Sequence, residues 1–149
     1  MISSFLRSLF LFACLALGSA AQAVTIFSDD FSNNTPAANT LPFGWTIANG
    51  DKGGSVDIWG SCNSRVVDDL LPGNNCYVDL DGGTGVNGLL TRSFSLPAGH
   101  SYTVFFDLAG NNRDWPFLDT VTTTFGSAQR SDEIPPDDTF ATFQLSFSP

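Results

Sequence analysis

The sequence is poor in histidine, cysteine and basic residues. Its 149 residues include one histidine, three cysteines and six lysines and arginines against 15 acidic residues, for a net charge of -9. Without C-x-x-C spacing and with a single histidine, the chain offers little for a zinc site or for Ser/His/Asp catalysis. The lack of basic residues argues against binding to nucleic acid, whose phosphates require lysine and arginine, and against an anionic membrane surface.

A long apolar run occurs only near the first residue. Arg7 precedes "LFLFACLALG", and "SAAQA" ends at Ala23, which is the layout of a secretory signal peptide cleaved after Ala23. The apolar run is too short to cross a bilayer with ease. An alternative is a lipoprotein anchor on Cys14, because "LFAC" loosely resembles a lipobox. We therefore expect residues 1–23 to be a signal peptide and residues 24–149 to form one exported domain without membrane insertion.

Two cysteines remain after removal of the signal peptide. Cys62 and Cys76 form an even pair in an exported chain, and such pairs normally form a disulfide. The bridge would close a loop of about 15 residues and stabilise the fold by roughly 3 kcal/mol in the chain-entropy model. Two free thiols are the alternative.

Helical periodicity is also scarce, and short runs rich in Phe, Val, Thr, Ile and Trp alternate with Gly, Pro, Asn, Asp and Ser. This pattern predicts an all-β, antiparallel sandwich or barrel. The polar segment 127–138, with two prolines, is interpreted as a loop. The eight predicted strands are 25–31, 44–47, 55–59, 76–80, 89–96, 101–110, 119–126 and 139–147.

The stretch "CYVDLDGGTG" combines two aspartates with a glycine-rich turn. As an EF-hand loop it lacks the glycine required at position six and the carboxylate required at position twelve. As a strand it places Tyr77, Asp79 and Asp81 on one face, followed by glycines that permit a tight turn. That face is either solvated surface or a contact for a ligand or ion, because adjacent carboxylates repel unless a cation or donor intervenes.

The three tryptophans differ in their surroundings. Trp45 follows "PFG" and is interpreted as core. Trp59 ends a strand, and Trp115 lies in "GNNRDWPF" beside Asn112 and Arg113. Aromatic rings at strand ends stack on the apolar faces of sugars, while neighbouring polar groups bond the hydroxyls. We therefore predict ligand-binding roles for Trp59, Tyr77, Asp79, Asp81, Asn112, Arg113 and Trp115.

Taken in order, "DDFSNNT", "LPFGWTI", "VDIWG", the stretch from "CYVDLDGG" to "DLAGNNR" and "DTVTTTFG" resemble secreted bacterial proteins with a PEP-CTERM sorting tail. These proteins are similar to galactose-binding-like jelly rolls and to carbohydrate-binding modules. The resemblance implies a β-sandwich, export, glycan or matrix association and a structural calcium near Asp29 and Asp30. From the residues alone, these two aspartates equally fit a charged edge strand. The closing strand and sorting tail of that family are missing here, so we expect a jelly roll that is either complete with eight strands or lacks its last strand.

The first functional hypothesis is a secreted, non-catalytic domain that binds extracellular polysaccharide or another glycan at the cell surface or in the matrix. A structural or adhesive surface protein without sugar specificity is the alternative. An enzyme acting on glycans is a third, disfavoured, reading, since His100 lies in a turn and Glu133, the single glutamate, falls in the predicted loop.

Overall fold

Short segments of β-branched and aromatic residues form the secondary structure of this computed structural model, which describes residues 23–62, 65–67, 69–110, 118–136 and 139–149. The strands in these ranges are β1 (Thr46–Ile47), β2 (Asp57–Cys62), β3 (Arg65–Val67), β4 (Cys76–Asp79), β5 (Leu90–Thr91), β6 (Tyr102–Leu108), β7 (Asp119–Phe125), β8 (Ala128–Ile134) and β9 (Ala141–Phe147). One 3₁₀ turn spans Gly50–Lys52. The predicted signal peptide falls almost wholly outside the described residues and stays a prediction.

All strand pairing within the sheets is antiparallel, as predicted. The described strands group as β1–β5, β3–β2–β4, β6–β9 and β7–β8. The fold is all-β and consistent with a β-sandwich. In the described ranges, no helix combines the length and apolar character of a membrane span.

Strand β2 forms the centre of the core. Val56 and Ile58 are 0% and 1% exposed, and Trp59, Cys76 and Ile134 are also buried. The strand is covered because β4 pairs along one side while β3 and the segment around Ala37 pair along the other. Burial of both faces of β2 explains why its sequence does not alternate between apolar and polar residues.

Two of the secondary-structure predictions were wrong, and the strand predicted over 89–96 is only Leu90–Thr91. Segment 25–31 is not a strand, because Asp29 Oδ1 accepts the Phe31 N–H at 2.9 Å and Asp30 Oδ1 accepts the Ser32 N–H at 3.0 Å. Such side-chain bonds to the backbone favour turns over strands. Segment 127–138 is not wholly a loop, because β8 occupies most of it and carries Glu133.

The hairpin of β7 and β8 lies against β9. Phe125 meets Phe147 edge to face at 5.8 Å between centroids, and Phe106 stacks on Phe143 at 5.9 Å. Burial alternates along β6, so its inward face carries the four residues predicted from the sequence, Tyr102, Val104, Phe106 and Leu108. These aromatic pairs connect the C-terminal strands.

Glycines after β4 allow close packing against the residues that precede β2. A Cβ at Gly82 would lie 2.8 Å from the backbone nitrogen of Val56, and a Cβ at Gly88 would collide with the Val56 side chain. Of the three glycines expected to need a positive φ in this turn, only Gly85 has one, at 72°. Position 82 therefore requires glycine because a Cβ would not fit there, and not because the backbone has a positive φ.

Candidate ligand-binding site

A cavity of about 320 Å³ opens beside β4 and the facing ends of β6 and β7. Its size falls in the range of small-ligand pockets. Three aromatic side chains line it: Trp59, Tyr77 and Phe140. Four aspartates are also among the lining residues: Asp79, Asp81, Asp107 and Asp119.

The aromatic part of the wall is built on β2 and β4. Trp59 stands opposite Tyr77 in the β2–β4 register, so the two side chains lie on the same face of the sheet. The Phe140 ring, just before β9, meets Tyr77 edge to face at 5.9 Å. Trp59 is only 9% exposed, which means that a ligand would reach its edge rather than its full face.

The Tyr77 hydroxyl is held in place by backbone donors. It accepts hydrogen bonds from the N–H groups of Leu70 at 2.8 Å and Leu71 at 3.2 Å. Burial, and to a lesser extent the neighbouring Asp69 carboxylate, raise the pKa of Tyr77, although the two backbone bonds oppose the shift. Asp69 Oδ1 is a buried oxygen without a hydrogen-bond partner among the described residues.

The carboxylates reach the cavity from separate elements. Asp79 ends β4, and its Oδ1 accepts the Asp81 N–H at 3.0 Å, which turns the chain after the strand. Asp107 lies near the end of β6 and accepts the Thr142 hydroxyl at 2.6 Å. Asp119 begins β7. Sheet pairing and turn geometry fix these aspartates on three parts of the chain.

The structure brings together four of the seven residues predicted to bind a ligand. Trp59, Tyr77, Asp79 and Asp81 all line the cavity. The other three, Asn112, Arg113 and Trp115, lie outside the described residues, and their predicted roles are untested.

Sequence reasoning missed Asp107, Asp119 and Phe140 as lining residues. Asp107 and Asp119 flank the loop that contains the predicted Asn112, Arg113 and Trp115, so proximity to that loop was the available signal. Phe140 gave no signal, because its approach to Tyr77 depends on how distant strands assemble.

The predicted calcium ligands have other contacts. Asp29 Oδ2 accepts the indole N–H of Trp45 at 2.8 Å and lies 3.7 Å from the Arg92 guanidinium. Asp30 binds the backbone and hydroxyl of Ser32, and these bonds, the hydroxyl first, lower the pKa of Asp30.

This donor set does not fit a calcium ion well, because an indole donor and a guanidinium already compensate Asp29. In the described part of the chain, no group of three or more His, Cys, Asp or Glu side chains is placed to hold a metal ion. Calcium at Asp29 and Asp30 stays a prediction.

Trp45 is half-buried rather than fully buried. Its ring contacts Phe27 at 6.4 Å and Phe31 at 5.9 Å, and the Arg92 guanidinium lies 4.2 Å from the centroid of Phe27. The ring therefore belongs to a packed cluster near the N-terminus, as a core role requires, and its indole nitrogen is occupied by Asp29.

The predicted disulfide is present. Cys62 at the end of β2 is bonded to Cys76 at the start of β4, with Cα atoms 5.4 Å apart. The bond fixes the first residue of the strand that carries Tyr77 and Asp79 to the cavity.

Comparisons with models of known protein families, with curated proteins and with solved structures found no match to this chain.

Proposed function

We propose that the protein is a secreted, non-catalytic carbohydrate-binding domain of the cell surface or extracellular matrix. The observation that carries the proposal is the cavity of about 320 Å³ whose lining residues include three aromatic residues and four aspartates. Sugar rings present apolar C–H faces for aromatic side chains, and their hydroxyls donate hydrogen bonds to carboxylates. The jelly-roll, galactose-binding-like topology and the membership in PEP-CTERM-associated proteins remain part of this proposal.

Export is supported by the signal-like N-terminus and by the Cys62–Cys76 bond, because disulfides persist mainly in oxidising compartments. The resemblance to carbohydrate-binding modules supports the same assignment. Calcium, if bound, would have a structural role near Asp29 and Asp30 and would not belong to the cavity.

A glycan array of neutral and acidic glycans, probed with the purified protein, tests the proposal. We expect binding to a restricted set of glycans and a loss of that binding in Asp81→Ala, which removes an exposed carboxylate from the cavity wall. The matched control is Asp51→Ala, which removes an exposed carboxylate from the 3₁₀ turn outside the cavity. Silence across the array, or equal binding by both variants, would remove this function.

The burial of Trp59 favours a second candidate, a structural or adhesive surface protein without sugar specificity. At 9% exposure its ring offers little area for stacking, and the Trp45 indole is occupied by Asp29. This function predicts self-association or adhesion that does not change when free sugars are added, which a surface-adhesion assay with and without competing glycans measures.

A further inference from the structure

One edge of strand β6 is uncovered in the described part of the chain. β6 pairs with β9 from Tyr102 to Leu108, and these two strands form a sheet of their own. Among the described residues, no backbone–backbone hydrogen bond outside the strand ladders involves β6. The other edge of β6 therefore presents N–H and C=O groups that are available to a further strand.

The sequence of β6 lacks the features that protect an edge strand from association. Protected edges are short, are interrupted by a bulge, or carry lysine or proline. β6 has seven residues, contains no lysine or proline, and carries one charge, on Asp107 near its C-terminal end. Its register with β9 is continuous, without a bulge. Five of its seven residues are aromatic or β-branched, which are the types that favour strand pairing.

Both faces of β6 leave apolar surface for a neighbouring strand to cover. On the outward face, Phe105 is 65% exposed at the middle of the strand. On the inward face, the side chains of Val104, Phe106 and Leu108 are only half-buried. A strand added at the uncovered edge would gain cross-strand contacts with both sets of side chains.

We propose that β6 pairs with β6 of a second copy of this chain, antiparallel and about a two-fold axis at Phe105. A two-fold interface joins the same surface of both copies, so the strand has to match itself. In this register the two Phe105 side chains lie opposite each other on one face, as a cross-strand aromatic pair. On the other face, Val104 of each copy lies opposite Phe106 of the other. The two sheets become one sheet of four strands.

Charge also indicates that two copies meet at this edge. With a net charge of -9, the protein repels its own copies over much of its surface, whereas β6 carries only Asp107. The proposed register places Asp107 opposite Thr103 of the second copy. The two Asp107 carboxylates are then four residues apart along the sheet, about 13 Å, and exposed charges at that distance are largely screened by physiological salt.

The expected dimer is weak. One strand edge from each copy buries less surface than the roughly 1,200 Å² of a stable complex, so self-association should appear at micromolar concentrations and above. Sedimentation velocity of the purified protein over a series of concentrations measures it, and a monomer at every concentration would overturn the inference. Pairing at β6 does not depend on carbohydrate binding, so either proposal can fail without the other.

Phe105→Lys tests the position of the interface. We expect self-association to weaken about tenfold, because the aromatic pair is lost and two like charges meet at the axis. The matched control is Phe43→Lys, which replaces a phenylalanine that is 79% exposed and lies outside β6; it should associate like the unmodified protein. Thermal melting shows whether both variants are folded. Equal association of all three proteins would contradict pairing at β6.

Cysteine cross-linking tests the register. In Phe105→Cys the two introduced thiols face each other within the span of a disulfide, so mild oxidation should give a covalent dimer on a non-reducing gel. In Asp107→Cys the thiols are about 13 Å apart and should stay unlinked, whereas a mixture of Asp107→Cys and Thr103→Cys proteins should cross-link. A Phe105→Cys protein that stays monomeric, or a cross-linked Asp107→Cys protein, would refute the proposed pairing.

Hydrogen exchange separates edge pairing from contact between the outward faces of two sheets. Edge pairing gives the β6 amides new hydrogen bonds, so their exchange should slow as the protein concentration rises into the range where the dimer forms. The same amides in Phe105→Lys should exchange at a rate that does not change with concentration. Self-association that leaves β6 exchange unchanged in the unmodified protein would show that the faces meet instead, and the inference would be wrong.

Discussion

Asp29 connects three contacts in the N-terminal aromatic cluster. Its two carboxylate oxygens accept the Phe31 N–H and the Trp45 indole N–H, and the Arg92 guanidinium lies nearby. Asp30, one residue further on, is exposed, and among the described residues its side chain bonds to Ser32. Adjacent residues of the same type therefore have unequal effects on the fold, because only one of them joins distant segments.

We expect Asp29→Asn to lower the free energy of unfolding by about 1 to 2 kcal/mol, because hydrogen bonds to a charged acceptor contribute more than neutral ones. Urea denaturation measures the change. The matched variant Asp30→Asn should stay within about 0.5 kcal/mol of the unmodified protein, as exposed substitutions usually do.

Equal effects of the two substitutions would contradict the assigned contacts. If calcium bridges Asp29 and Asp30 instead, a chelator would lower the melting temperature, since a ligand of the folded state raises stability.

Tyr77 shows how the cavity environment alters a single group. Burial and the Asp69 carboxylate raise its pKa above the ordinary value of 10.0. Below pH 10 the phenol is protonated in both the folded and unfolded states. Above pH 10, the Tyr77 phenol loses its proton in the unfolded state before it does so in the folded state. The stability that Tyr77 contributes is therefore lost as the pH rises through the pKa of Tyr77 in the folded protein.

We expect an ultraviolet absorbance titration to show one tyrosine ionising later than a free phenol, and Tyr77→Phe to abolish that late phase. The chain has only two tyrosines, so the difference between the two curves isolates Tyr77. A late phase that persists in the variant would contradict the assignment.

At the scale of elements, regular alternation predicted β6 correctly, but the strand predicted over 89–96 extends only over Leu90–Thr91. β6 alternates cleanly, and its inward face agrees with the sequence. β8 was not predicted because Arg130 and Asp132 occupy neighbouring positions on one face of the strand. The two side chains form an ion pair at 2.6 Å, and Asp132 is buried. The Gly126-Ser127 dipeptide, a two-residue hairpin signal, was the available clue.

The strand predicted over 25–31 was wrong although its composition favours a strand. Its residues have the composition of a strand, yet side-chain acceptors at Asp29 and Asp30 capture the following backbone donors. A strand-like composition is compatible with a strand, but hydrogen bonds from the backbone to nearby aspartate side chains favour a turn instead.

The turn after β4 offers a test of packing at the element scale. We expect Gly82→Ala to lower the free energy of unfolding by about 1 to 3 kcal/mol, because its Cβ has no room against Ser55 and Val56. Gly83→Ala is the matched control, since the nearest atoms to its Cβ, on Asn39, are 3.7 Å away. Thermal melting of both variants measures the difference, and equal melting temperatures would refute the close approach.

At the scale of the whole molecule, the disulfide was predictable and the cavity was not. With Cys14 assigned to the predicted signal peptide, Cys62 and Cys76 leave one pairing. The cavity forms where the ends of β4, β6 and β7 come together. These strands are far apart in the sequence, so no short-range pattern predicts their contact. The sequence indicated four of the seven aromatic and acidic lining residues, because Trp59, Tyr77, Asp79 and Asp81 lie on paired strands or at a strand end.

Removal of the disulfide should destabilise the whole molecule. We expect Cys62→Ser/Cys76→Ser to lower the free energy of unfolding by about 3 kcal/mol, because the unfolded chain regains the freedom of a loop of about 15 residues. Guanidinium denaturation with and without reductant measures this. Reductant should weaken the unmodified protein and leave the double variant unchanged; a variant as stable as the unmodified protein would show that the bond contributes nothing.

The central claim is that the cavity beside β4 binds carbohydrate, and nuclear magnetic resonance mapping tests it most directly. A glycan bound on the array is titrated into the isotopically labelled protein while backbone amide shifts are followed. We predict that the perturbed amides cluster at β4 and at the facing ends of β6 and β7, around Tyr77, Asp107 and Asp119. Shifts confined to other surfaces, or no shifts with any glycan, would contradict it.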